Sequence, residues 1–155
     1  MRIYVVCFNP FPSLLLIFGI WEKSLLPLMA TPPLERVPLQ NVDTGAMYRA
    51  ITLFALENGS VQESLNAEKL IEALPRIQLS FKKNNQSDIS EICLDGESVE
   101  AKIRNLKVSK WVSPVAAVKE VREKLVEMQQ QIGLDKGVVM DGRDIGTVVF
   151  PEADL

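Results

Sequence analysis

Gly137 to Gly146 reads GVVMDGRDIG, an apolar run that passes directly into Asp141, Gly142, Arg143 and Asp144. A short β-branched run of this kind predicts a buried parallel strand. In open α/β sheets, ligands gather at the carboxyl ends of such strands. A carboxylate placed there can hold a magnesium-bound water, and an arginine can pair two of its donors with phosphate oxygens. The plainer reading is a polar loop closed by an internal Asp–Arg pair. Two carboxylates flanking one arginine make an awkward loop without a ligand, so the functional reading is preferred for Asp141, Arg143 and Asp144.

A second cluster, VDTGAMYR, spans Val42 to Arg49. Asp43 and Thr44 sit where a strand would hand over to a helix, and Gly45 permits a tight turn. Such a junction presents backbone N–H groups and the positive end of a helix dipole, both suited to an anion. Arg49, one turn into the helix, can reach the same place. On spacing alone the plainer reading is favoured here: Asp43 or Thr44 caps the helix and Arg49 is a solvated side chain.

Outward from these clusters the patterning is regular. Met47, Ala50, Ile51, Phe54 and Ala55 recur at helical spacing, with Gly59 as the stop. Asn66 caps a second helix, NAEKLIEALPRI, ended near Pro75. IQLSF and ISEICL flank KKNNQSD as a hairpin, and a short helix covers VEAKIRN. A long helix is expected from Ser113-Pro114, with proline at its first position. Val118, Val121, Leu125, Met128 and Ile132 draw one apolar stripe along it to about Gly133. TVVF reads as a further strand.

Composition narrows the chemistry. The chain has 155 residues, 47% apolar and 24% charged, with a formal net charge of -3. That is one soluble domain without a broad basic footprint for nucleic acid. It has no histidine, which excludes Ser-His-Asp triads, Cys-His pairs and His-ligated zinc. Cys7 and Cys93 cannot form a disulfide framework, and a reduced, cytoplasmic chain is expected. Arginines and carboxylates without a general base suit phosphoryl transfer, which depends on positioning and charge stabilisation.

VDTGAMYRAITLFALENG, SPVAAVKEVREKL and above all GVVMDGRDIGTVVFPEADL resemble, in order, three motifs of the bacterial cytidylate kinase (CMP/dCMP kinase) family. The likeness runs from about Val42 to Leu155. It implies a P-loop nucleoside monophosphate kinase-like α/β fold with a parallel sheet, incomplete at both ends. A small monophosphate-binding insert would cover residues 60–105. It further implies transfer of the γ-phosphoryl of ATP to CMP or dCMP with Mg2+, in a monomer that binds neither nucleic acid nor membrane. By the same resemblance Thr44 is the hydroxyl residue near the nucleotide, and Arg49 and Arg143 clamp the CMP phosphate. Ser113, Arg122 and Asp144 read the cytosine edge, and Asp141 is the acid near the metal, whose own ligands the sequence leaves unknown. The cytosine assignment is chemically apt: a carboxylate takes the N4 donor, while Arg and Ser serve the N3 and O2 acceptors. Read without the resemblance, Ser113 is a helix cap and Arg122 a solvated face.

Residues 1–40 depart from the family. They hold six of the nine prolines and only five of the 37 charged side chains. The Walker A pattern, G-x-x-x-x-G-K-[ST], is missing. Aligned on Lys23-Ser24, its two glycine positions hold Ile17 and Glu22, and the helix expected next is interrupted by Pro27, Pro32, Pro33 and Pro38. A sheet without its family-like first strand, and without at least two later ones, is expected. A frameshift, a wrong start or a fused segment would account for the change near Asn41. The chain is therefore expected to have little or no kinase activity. Three alternatives stand beside this: a non-catalytic CMP binder, an exported or membrane-attached protein using the apolar run Val5 to Trp21, and a ligand-free structural domain.

Overall fold

The computed structural model describes residues 4–6, 40–84, 90–134 and 138–152. Three parallel strands lie in the order β1 (Tyr4–Val6), β6 (Val138–Asp141), β2 (Gln40–Asp43). The central strand is the apolar run read from the sequence. Val138 and Met140 are buried, as is Val42 on the neighbouring strand. The register pairs Val42 with Met140 and Asp43 with Asp141. Parallel pairing puts both carboxyl ends on one edge of the sheet, so the two sequence clusters, 97 positions apart, emerge side by side. The strand at Tyr4–Val6 corrects the expectation that the sheet lacks a first strand from residues 1–40. A three-residue YVV run has the β propensity to pair with β6, and it does so.

α1 (Thr44–Glu57) follows β2 without a loop. Asp43 caps it, its carboxylate accepting from Ala46 N–H at 3.0 Å. Met47, Ala50, Ile51 and Ala55 are fully buried, as their spacing requires, while Phe54 packs on the core from its margin. Gly59, at φ +67°, takes the left-handed conformation beyond the helix end that residues with a Cβ rarely adopt. α2 (Ala67–Ala73) is capped by Asn66, whose side chain accepts from Lys69 N–H, and runs into a 3₁₀ turn, Leu74–Arg76, at Pro75. β3 (Leu79–Lys83) and β4 (Ser90–Leu94) form the expected antiparallel hairpin. A two-residue strand, β5 (Glu97–Ser98), extends it. The VEAKIRN helix reduces to a 3₁₀ turn, Lys102–Arg104.

Two further expectations are corrected. The helix expected to begin at Ser113-Pro114 is two helices, α3 (Leu106–Ala117) and α4 (Lys119–Leu134). Asn105 is the real cap, accepting from Val108 N–H at 2.8 Å, and Pro114 lies inside α3. An interior proline costs about 3 kcal/mol. Burial of Val108 and Val115 against α1 offsets that cost, and the helix ends at Val118, whose backbone is extended. Ser113 is thus a mid-helix residue and not a cap. The second correction concerns TVVF. Residues Ile145–Val149 form a single π-helical turn and no strand. Asp144 enters this turn at φ +60°, and its carbonyl accepts from both Val148 and Val149 N–H. Of the α4 stripe, Val121 and Leu125 are fully buried, and Val118, Met128 and Ile132 pack at its edge.

Candidate functional site

A cavity of about 1420 Å³ opens at the carboxyl edge of the parallel sheet. β2 and α1 supply Thr44 and Arg49; the bend after β6 supplies Asp141, Arg143 and Asp144; α3 supplies Ser113 and α4 supplies Arg122. All seven residues singled out from the sequence therefore line one concave surface, and none is turned to an unrelated face.

The side chains of Arg49, Arg122 and Arg143 make no ion pair or hydrogen bond among the described residues, where Arg104–Glu100, Lys119–Glu123 and Lys124–Glu127 do pair. The internal Asp–Arg pair that would have made residues 141–144 a self-neutralised loop does not form. Each of the three guanidiniums presents to the cavity a planar fork of donors suited to phosphate.

The polar groups that hold the site together are distinct from those left open. Asp43 is committed to the α1 cap. Thr44 is 4% exposed, and its hydroxyl donates to the Asp141 carbonyl at 2.9 Å. Its proton is spent on joining α1 to the β6 end, which leaves only its lone pairs for a ligand. Gly142 makes this approach possible: a Cβ there would lie 1.9 Å from Thr44 Oγ1. Gln130 Nε2 on α4 donates to the Val149 carbonyl at 3.2 Å, pinning the π-helical turn that begins at Asp144.

Tyr48 also lines the cavity. Burial pushes its phenol above the ordinary value of 10.0; the nearby Arg122 guanidinium pulls it down and the Asp144 carboxylate adds to the rise. Both Arg122 and Asp144 thus act electrostatically on Tyr48. The described residues contain no group of three or more carboxylates or cysteines able to hold a metal alone. An ion held largely by water and substrate phosphates needs only one or two carboxylates. Asp141, exposed at the cavity and without an ion-pair partner among the described residues, fits that role.

The family model for cytidylate kinase matches residues 34–155. The chain belongs to the cytidylate kinase family. It is 54% identical over 139 residues to a cytidylate kinase of Flavobacterium johnsoniae, an alignment covering 89% of this chain and 59% of the relative. It is 57% identical over 115 residues to that of Flavobacterium psychrophilum, covering 74% of this chain and 51% of the relative. The cytidylate kinase of Bacteroides thetaiotaomicron is 49% identical over 115 residues, again 74% of this chain and 50% of the relative. The chain spans half to three fifths of the length of these relatives. Among the described residues, no helix is long and apolar enough to cross a membrane. The apolar run Val5 to Trp21, on which an exported or anchored reading rested, lies almost wholly outside the described residues.

Among the cavity residues of this cytidylate kinase-family chain that the sequence did not single out are Tyr48 and Gln129. Tyr48 sits one helical turn past Thr44, so it shares the face of α1 that carries the predicted hydroxyl. Gln129 lies seven positions after Arg122, two turns along the same face of α4. That spacing was the available signal.

Proposed function

We propose that the cavity binds CMP or dCMP and that the whole protein phosphorylates it with ATP. The observation that supports this most directly is the set of three arginines, unpaired among the described residues, around one cavity that also holds Asp144. In this reading Arg49 and Arg143 grip the monophosphate. Arg122 and Ser113 serve the N3 and O2 acceptors of cytosine, and Asp144 accepts from its N4 amino group. Uracil carries a carbonyl where cytosine carries that amino group, so the Asp144 carboxylate repels it. Thr44 contributes an acceptor and holds the Asp141 end of the site in place. Asp141 would hold Mg2+ through water or directly, and the ion, when bound, neutralises charge building on the transferred phosphoryl group. Arg49 and Arg143 supply the same kind of stabilisation from the acceptor side.

The donor side is different. The 155 residues contain no Gly-Lys pair and hence no Walker A loop. We therefore expect this chain to bind CMP while turning over little ATP. Calorimetric titration tests the reading: CMP binds, UMP binds at least about tenfold more weakly, and ATP gives no saturable heat. Equal affinity for CMP and UMP would overturn the cytosine assignment. Normal turnover in a coupled assay with ATP, Mg2+ and CMP would overturn the expected inactivity.

A further inference from the structure

Gln129 is 2% exposed, yet it lines the cavity. Buried side-chain amides are nearly always hydrogen-bonded, because stripping water from them without replacement is costly. The Gln129 carboxamide makes no hydrogen bond among the described residues, and none of the side-chain nitrogens or oxygens wholly closed off from solvent lacks a partner. Its polar atoms therefore keep what exposure the residue has, and the surface on which they keep it is the cavity wall. Its neighbours on α4 are otherwise engaged: Leu125 is in the core, Gly133 packs on Phe150, and Gln130 holds the π-helical turn. Among the described residues lining the cavity, Gln129 is the buried polar side chain that makes no hydrogen bond.

Resting on the CMP reading above, we propose that Gln129 is a direct binding residue for the nucleoside part of the ligand. A neutral carboxamide offers two donors and an acceptor, whereas a phosphate dianion only accepts and is already matched by Arg49 and Arg143. The groups that use both halves of the amide are those that also donate and accept, a base edge or a ribose hydroxyl. Both sources share that chemistry, and the ligand series below separates them.

The physical consequence is an opposition between stability and affinity. An amide poised for a ligand is a burden to the empty protein, so Gln129→Met, which keeps shape and removes polarity, should leave the melting temperature unchanged or raise it. The same change should weaken CMP at least about tenfold, while inorganic phosphate binding stays within about twofold. Gln129→Leu should behave in the same way. Loss of ribose 5-phosphate affinity along with CMP assigns the amide to the sugar; loss of CMP alone assigns it to the base, and either outcome supports the proposal. CMP affinity within twofold of the parent overturns it. So does a marked drop in melting temperature, or failure to fold, in both variants, because the amide is then structural. Absence of CMP binding by the parent chain overturns the CMP reading and this inference together, an outcome distinct from a parent that binds and a variant that binds equally well.

Discussion

The Thr44 hydroxyl donates to the Asp141 carbonyl oxygen at 2.9 Å, across 97 positions of sequence. This bond ties the first residue of α1 to the last residue of β6. It works only because residue 142 has no Cβ, which would fall 1.9 Å from Thr44 Oγ1 and 3.0 Å from Thr44 Cβ. Gly142→Ala should therefore be more damaging than Thr44→Ala. The latter loses one part-buried hydrogen bond, worth about 1 kcal/mol, while the former forces backbone or side chain aside at a cost of about 1–3 kcal/mol. The pair should couple. Thr44→Ala removes the nearest atom of the clash, so the double variant should be more stable than the sum of the two single losses predicts. Denaturant melts of the four proteins measure the coupling, and simple additivity would mean that the two residues do not meet.

Arg49 and Arg143 carry charge without carrying the fold, since neither side chain makes an ion pair or hydrogen bond among the described residues. Arg49→Ala should leave the melting temperature within about 2 °C and weaken CMP by about 10- to 100-fold, the value of one charge-assisted contact. Arg143→Lys keeps the charge and loses the planar fork, so it should recover only part of that affinity. Calorimetry at two salt concentrations checks the assignment: affinity that depends on these residues should fall as salt rises.

Asp144 sits at φ +60° at the mouth of the π-helical turn. Asn tolerates that backbone about as well as Asp, whereas Ala does not. Asp144→Asn should therefore preserve the fold while replacing an acceptor-only group with one that can also donate. The expected result is a narrowed gap between CMP and UMP, with UMP gaining as the carboxylate's repulsion disappears. Asp144→Ala should lose stability as well, by about 1 kcal/mol. Titrations of both nucleotides against both variants distinguish discrimination from strain.

Tyr48 gives the site a pH signature. Its phenol is raised above 10.0 in the folded chain, chiefly by burial. A group whose folded value lies above its unfolded one favours the folded state fully at low pH. Up to about pH 9.5 the phenol is protonated in both states and its contribution is intact. As pH climbs past 10 the unfolded chain ionises first, and stability drains away until the folded phenol also ionises. Tyr48→Phe should therefore show a shallower loss of stability above about pH 9.5, and the same slope as the parent below it. Parallel curves across the whole range would place Tyr48 in water.

Much of this arrangement was legible in the sequence where a local signal had one physical reading. VVM before Asp141 read as a buried strand, and Asn66, Gly59 and the α1 spacing each marked what they proved to mark. The parallel register then did what no local signal could, bringing Asp43 beside Asp141. Where two signals competed, the sequence misled. Pro114 is a strong helix-start signal, but Val108, Trp111, Val112 and Val115 already repeat at helical spacing upstream, and their burial outweighed it. TVVF has high strand propensity; the left-handed Asp144 and the Gln130 bond to Val149 instead wind it into a turn. Gln129 was invisible for another reason: a glutamine in a polar helix reads as solvated until its burial is known.

Gly133 shows how closely that turn is held. It is buried at the end of α4, and a Cβ there would lie 2.3 Å from Phe150 Cζ and 2.8 Å from Cε1. Phe150 follows the π-helical turn directly, and its N–H donates to the Ile145 carbonyl at 2.7 Å. A ring pushed aside strains the turn to which Phe150 is joined, and that turn begins at Asp144. Gly133→Ala should thus cost about 1–3 kcal/mol and, unlike an ordinary overpacked site, should also weaken CMP by displacing the Asp144 carboxylate. Phe150→Leu in the Gly133→Ala background removes the clashing ring edge and should restore both properties together. Recovery of stability without recovery of CMP affinity would show that α4 packing and the geometry of Asp144 are independent.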